Sequence, residues 1–156
     1  MPVNPHEKVC QHVDAIFGSG VSSVFSADLQ FEFSRRTGRI KNFSLENRLV
    51  ATLRTDGGLA LTIFGAQHLA GSRQFLENCV IPVQEAVPFV SEGRSLFCRH
   101  VHWCGSNVAA GSDVAVLDES CNVIAVGVAV LGSGMMHQFK KGVAVKVREG
   151  IKGRTT

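Results

Sequence analysis

Four potential metal ligands alternate along one short segment of the chain, at Cys98, His100, His102 and Cys104. Cysteine and histidine are the usual ligands of structural zinc. Alternate residues of an extended strand stand in a row, advancing ~3.3 Å per residue, so they converge on one ion only where the chain bends sharply. The sequence also lacks the C-x-x-C pairs common in such sites. We therefore predict no metal and no cofactor, and we expect these side chains to pack in or beside the core.

A second group with possible chemistry is the basic cluster of Arg35, Arg36, Arg39 and Lys41, which flanks a turn at Thr37-Gly38. Guanidinium groups fanned around an exposed turn can fork onto phosphates or stack on unpaired bases. A solvated hairpin tip explains the same pattern without any ligand. Both interpretations stay open from the sequence.

The third group lies near the end of the chain, where Lys140 and Lys141 precede a stretch of alternating residues. Valines at 143, 145 and 147 alternate with Ala144, Lys146 and Arg148. This period predicts a strand with one apolar face and one basic face. An exposed cationic strand is suited to a polyanion.

Charge is distributed unevenly although the net charge is only +3. Residues 35–54 and residues 140–154 each contain six basic side chains and one acid, whereas residues 77–119 contain six acids and two arginines. Two separated basic zones indicate a directed field.

Catalytic motifs are absent from the sequence. The serines at 19, 22 and 23 form no G-x-S-x-G elbow, and no Gly-Lys-Ser/Thr phosphate loop occurs. Asp56 lies in an Asp-Gly-Gly turn, which explains it without catalysis. We predict no catalytic residue.

Composition places the chain among folded proteins. It has 156 residues, 45% hydrophobic residues and ten phenylalanines, which suffice for one domain or two small ones. The start of the chain is polar, and no apolar run reaches the ~18 residues of a membrane helix. Five single cysteines indicate reduced thiols, so we expect a cytoplasmic protein without membrane contact.

Periodicity and turn signals divide the chain into short elements. In the first half we expect a helix from Pro5 to about Gly18. Four strands should follow at 29–33, 39–45, 49–53 and 59–63, and then a short helix at 64–69. In the second half we expect two short helices at 83–90 and 135–139, and strands at 95–101, 114–116, 123–131 and 143–148. Residues 102–110 read as a loop in which Trp103 either stacks a base or covers the end of a small β-barrel.

The second half resembles the PUA domain, the RNA-binding module named after pseudouridine synthases and archaeosine transglycosylases. The string FKKGVAVKVR at 139–148 is the most specific part, with AVG at 125–127, EGRSLF at 92–97 and AVPFV at 86–90 upstream. This resemblance implies a mixed β-barrel with short helices.

The first half resembles the domain that precedes PUA in archaeosine tRNA-guanine transglycosylases. SRRTGRI at 34–40 and LVATLR at 49–54 carry this likeness. We therefore expect an α+β protein with an N-terminal domain at 1–74, built on an antiparallel sheet, and a PUA domain at 75–156. The boundary should fall between Gly71 and Asn78.

The resemblance also implies where RNA would bind. PUA domains use the loop between a helix and a strand together with the last strand, which correspond here to Gly93, Arg94, Lys140, Lys141, Gly142, Lys146 and Arg148. We add the basic turn at Arg35, Arg36 and Arg39 to the expected RNA-binding residues because its guanidinium groups could themselves contact phosphates.

The resemblance implies a non-catalytic RNA-binding protein. It would bind tRNA, in the acceptor region, and assist a catalytic transglycosylase subunit of the archaeosine type. The alternative is a ribosome-associated translation or ribosome-biogenesis factor with the same two domains.

Overall fold

The computed structural model of the chain describes residues 4–25 and 28–153. Their first half forms an antiparallel sheet with strand order β1-β2-β3-β4, flanked by two helices. The elements are α1 Pro5–Phe17, β1 Gln30–Phe33, β2 Ile40–Leu45, β3 Arg48–Leu53, β4 Leu59–Leu61 and α2 Ile63–Leu69. Arg154, which was counted with the C-terminal basic zone, lies outside the described residues.

The first helix begins and packs as its sequence predicts. The side chain of Asn4 accepts a hydrogen bond from the His6 amide at 2.8 Å, and Pro5 occupies the first turn, where its missing N–H costs nothing. Val9, Val13 and Phe17 form the buried stripe of α1. Within the described ranges, no helix is long and apolar enough to cross a membrane.

The second half forms a six-stranded sheet that curls into a nearly closed barrel with short helices. Its order is β6-β10-β9-β8-β5-β7; β5 and β8 pair in parallel, and the other neighbours are antiparallel. The elements are β5 Cys79–Pro82, α3 Val87–Ser91, β6 Leu96–Phe97, β7 Val101–Cys104, β8 Asp113–Leu117, β9 Val123–Ala129, α4 Ser133–Met136 and β10 Val143–Gly150. The α+β class and the mixed barrel are thus confirmed.

Two local predictions in this half were wrong. The strand expected at 95–101 is broken by a 3₁₀ turn, Cys98–His100, where the chain passes from one edge strand of the barrel to the other. Trp103 lies on β7 opposite Ile81 and not in a loop. The segment looked continuous because buried apolar residues, Leu96 and Val101, lie on both sides of the turn.

One apolar core extends across both halves. The cluster around Phe17, Phe43 and Phe75 also contains Cys79, Ala115, Leu117, Val123 and Val126 from the barrel. A second cluster fills the barrel interior. The boundary expected between residues 71 and 78 coincides with a 3₁₀ turn, Arg73–Asn78, and stays a prediction; the packing itself is continuous there.

Candidate nucleic-acid interface

One face of the barrel sheet is covered by the N-terminal half over part of its area. Asp113, Val128 and Lys146 are register partners across β8, β9 and β10, so their side chains share this outer face. Ala115 and Val126, the next pair along the same face, belong to the core shared with the N-terminal half. Lys146 lies at the uncovered part of the face and is exposed.

The turn that leads into β10 carries two further lysines. Lys140, Lys141 and Gly142 are exposed, and Gly142 has a φ of 98°, a conformation that glycine adopts without strain. Its carbonyl accepts a hydrogen bond from the Cys98 amide at 2.9 Å, which fixes the turn against the end of β6. The turn therefore presents both ammonium groups at the entrance of the last strand.

The loop between α3 and β6 lies beside the other end of β10. Gly93 has a φ of 99° and donates its N–H to the Val90 carbonyl at 2.9 Å, which ends α3. The next side chain, Arg94, is exposed and its guanidinium lies 5.8 Å from the centroid of the Phe89 ring. A side chain at Gly150 would overlap the backbone of Gly93, so β10 and this loop are in direct contact.

These exposed cations carry no compensating negative partner. Among the described residues, none of the following forms a hydrogen bond or ion pair through its charged group: Arg94, Lys140, Lys141 and Lys146. Uncompensated ammonium and guanidinium groups attract phosphates most strongly.

Arg148 has a different environment from the one the sequence implied. It lies on β10 where the N-terminal half covers the sheet, is half-buried, and donates from Nη2 to the Leu61 carbonyl of β4. Burial lowers the pKa of its guanidinium. Its predicted contact with RNA stays a prediction, but the structure already gives this side chain a partner that joins the two halves.

Asp113 completes this junction. Its Oδ2 accepts the Leu59 amide at 2.9 Å and its Oδ1 lies 3.1 Å from Nη1 of Arg54. Burial raises the pKa of the Asp113 carboxyl, and the neighbouring Arg54 partly offsets that rise. Residues 59 and 61 are the β4 positions whose backbone groups face away from β3, so Asp113 and Arg148 pair one donor and one acceptor on the free edge of that strand. Sequence reasoning missed Asp113; its only signal is a carboxylate opening an otherwise apolar strand.

The basic turn of the N-terminal sheet is a separate surface. Arg35, Arg36 and Arg39 are exposed at the turn between β1 and β2, and their guanidinium groups form no hydrogen bond or ion pair in the described part of the chain. Lys41 pairs with Glu32 at 3.7 Å, and both are exposed, so the pair contributes little stability. Because β1 is the edge strand farthest from the barrel, this turn is not joined to the β10 surface.

The alternating cysteines and histidines are spread over different environments. Cys98 is buried in the barrel, His102 is exposed, and Cys104 is half-buried with its pKa raised to about 11 by burial. Across residues 4–25 and 28–153, no three His, Cys, Asp or Glu side chains form a group that could hold a metal ion.

Each half of the chain matches the model of a known protein family. The model of the PUA domain matches residues 80–151, and that of the patch-forming domain C2 of tRNA-guanine transglycosylase matches residues 12–75. The chain therefore contains a PUA domain preceded by a patch-forming domain C2. Its two domains occur in the same order as in the C-terminal region of the archaeal transglycosylases that it resembles.

Relatives of this PUA domain protein include two archaeal tRNA-guanine(15) transglycosylases. The enzyme of Methanobrevibacter smithii is 31% identical over 148 residues, which are 94% of this chain and 22% of that enzyme. The enzyme of Thermoplasma acidophilum is 34% identical over 145 residues, which are 92% of this chain and 23% of that enzyme. The chain thus spans less than a quarter of either relative.

A solved structure supports the fold over nearly the whole length. A hypothetical protein of the hyperthermophilic archaeon Pyrococcus horikoshii superposes with a TM-score of 0.72 at 16% identity, covering 96% of this chain and 93% of that one. At this identity the likeness shows the arrangement of the PUA domain and its preceding domain, and nothing about ligands.

Proposed function

We propose that this protein is a non-catalytic RNA-binding module. Its main contact surface, which we call the barrel edge, consists of the Gly93 loop, the turn before β10 and the exposed side chain of Lys146 on β10. The observation that carries the proposal is the set of exposed, unpaired cations on that edge, at Arg94, Lys140, Lys141 and Lys146. Gly93 and Gly142 add positive-φ turns where a phosphate can approach backbone N–H groups. The PUA domain, an RNA-binding module in other proteins, supports the same assignment.

The bound RNA in this proposal is tRNA. The relatives are named tRNA-guanine(15) transglycosylases, and the similarity covers both the PUA domain and the domain before it. We assign the acceptor region as the contacted part and a transglycosylase of the archaeosine type as the enzyme that the chain assists. Co-purification of this chain with such an enzyme, dependent on tRNA, is the corresponding test.

The proposed site residues have four roles. Arg94, Lys140, Lys141 and Lys146 neutralise phosphates, and Gly93 and Gly142 allow close backbone approach. Arg148 acts indirectly, because it holds β10 against the N-terminal half through Leu61. Arg35, Arg36 and Arg39 form a second, separate contact for a more distant part of the same RNA.

Charge reversal on the barrel edge tests the assignment. The variant K140E/K141E places two carboxylates where the proposal places two phosphates, so tRNA affinity measured by filter binding should fall by at least tenfold at low salt. Both side chains are exposed and unpaired, so folding should be unaffected.

The matched control is K8E/R73E, which changes the net charge equally at two exposed positions of the N-terminal half. It should lower affinity by only a small factor, through the general field of the protein. Equal losses in the two variants would show that net charge alone attracts the RNA and would remove the barrel edge from the proposal.

A further inference from the structure

An open groove of about 580 Å³ lies where the N-terminal half meets the end of β10. Arg48, Phe64 and Gln67 line it from β3 and α2, while Glu149 and Ile151 line it from the barrel. Its volume falls within the range of sites that hold small ligands. Because both halves supply walls, the groove exists only in the assembled molecule.

The groove contains an arginine whose guanidinium plane is already oriented. The Cζ atom of Arg48 lies 4.1 Å from the centroid of the Phe64 ring, and the rings of Phe64 and His68 pack edge to face with 4.8 Å between centroids. A cation–π contact holds the guanidinium over Phe64, and Arg48 is otherwise exposed, so the group is accessible to a ligand. Within the described residues its donors form no hydrogen bond or ion pair.

Two other polar side chains of the groove, Gln67 and Glu149, have no hydrogen-bond partner among the described residues, although the charge of Glu149 acts on the neighbouring Arg148. Neither the Gln67 amide nor the Glu149 carboxylate forms a hydrogen bond or ion pair among the described residues. A carboxylate accepts from the amino groups of bases, and an amide both donates and accepts, so together they match the polar edge of a base. An accessible planar cation matches the flat side of the same base.

The groove adjoins the proposed RNA surface. Gly150 and Gly153, which line it, pack against the backbone of the loop at Ser91 and Glu92. The Lys152 amide donates to the Ser91 carbonyl at 2.7 Å, and its ammonium group is exposed and unpaired. Lys152 therefore lies beside the Gly93 loop, next to the residues that line the groove.

We propose that this groove binds one unpaired nucleotide of the RNA, with its base stacked on Arg48 and its polar edge facing Glu149 and Gln67. The inference rests on the proposed RNA binding and extends it. The junction of the two halves would then bind single-stranded RNA, and the neighbouring barrel edge would bind the phosphate backbone.

The test compares two kinds of RNA, blunt and extended, with the wild type and three variants by fluorescence anisotropy. One RNA is a blunt hairpin, and the other is the same hairpin with a short single-stranded extension, placed in separate series at the 3′ or the 5′ end. The wild type should bind an extended hairpin about tenfold more tightly than the blunt one, as expected for one stacked base. R48A should bind both equally, with its affinity for the blunt hairpin almost unchanged.

Two further variants separate stacking from charge. R48K retains the positive charge without the planar group, so it should lose the preference as R48A does; rescue by lysine would indicate a phosphate contact and overturn the stacking assignment. R73A, at an exposed arginine outside both proposed contact surfaces, should keep the preference.

The outcomes also separate this inference from the proposed function. Wild type that binds both hairpins equally, or R48A that retains the preference, would refute the groove and leave the barrel-edge contact intact. Wild type that binds neither hairpin would refute both.

Discussion

At the scale of single residues, the junction of the two halves depends on two oppositely charged side chains of the barrel. Asp113 is 4% exposed and accepts the Leu59 amide, while Arg148 donates to the Leu61 carbonyl. Backbone groups at the edge of a sheet need such partners when they are buried. Arg148 therefore cannot turn to a phosphate without giving up its contact with β4.

We expect D113A to destabilise the protein by about 2–3 kcal/mol, because a buried amide loses a charged acceptor and Arg54 loses a buried partner. The free energy of unfolding in urea measures this loss. E119A, at an exposed carboxylate in the turn after β8, should change stability by less than ~0.5 kcal/mol. A D113A protein as stable as E119A would show that water satisfies the β4 edge as well as Asp113 does.

At the scale of elements, β9 and β10 form the pair on which the proposed surface is built. Lys146 and Val147 lie opposite Val128 and Gly127. A methyl group at Gly127 would overlap the carbonyl oxygen of Lys146, so only glycine allows the two strands this approach. The position of Lys146 thus depends on a residue without a side chain.

G127A should destabilise the protein by about 1–3 kcal/mol, because the pair must separate to admit the methyl group. Thermal unfolding followed by circular dichroism provides the measurement. G134A is the matched control, since its added Cβ would meet no other part of the described structure within 4 Å, and it should leave the midpoint unchanged or slightly higher. Equal midpoints for the two variants would contradict the close pairing of β9 and β10.

Local pattern predicted most of these elements, because alternation and turn residues are properties of adjacent positions. The helix at Pro5–Phe17 and the strand that opens at Val143 follow from their own sequences. The 3₁₀ turn Cys98–His100 does not follow from its own sequence, because it links β6 and β7, which are edge strands only in the folded barrel. Likewise, nothing near Arg148 in sequence indicates that Leu61 is its partner.

The candidate site was predictable to a similar degree. The cations at Arg94, Lys140, Lys141 and Lys146 could be proposed from the family resemblance, and the structure leaves them exposed. The groove at Arg48 could not, because it depends on how two distant segments pack. The pattern of adjacent residues does not indicate which distant segments pack together.

At the scale of the whole molecule, the two halves share one core and are joined by polar contacts at its margin. Val126 and Leu117 of the barrel pack in the same cluster as Phe43 and Leu61 of the N-terminal sheet. This packing fixes the distance between the Gly93 loop, the groove and the separate basic turn. An RNA that contacts several of them therefore meets a preformed arrangement, which lowers the ordering cost of binding.

The central claim is that unpaired lysines on the barrel edge bind RNA phosphates, and the salt dependence of tRNA affinity tests it most directly. The affinity of the wild type should fall linearly in a plot of log K against log [salt], and K140A/K141A should reduce the slope by about 2, one for each lost phosphate contact. An unchanged slope in that variant, or an affinity that does not respond to salt, would contradict the account.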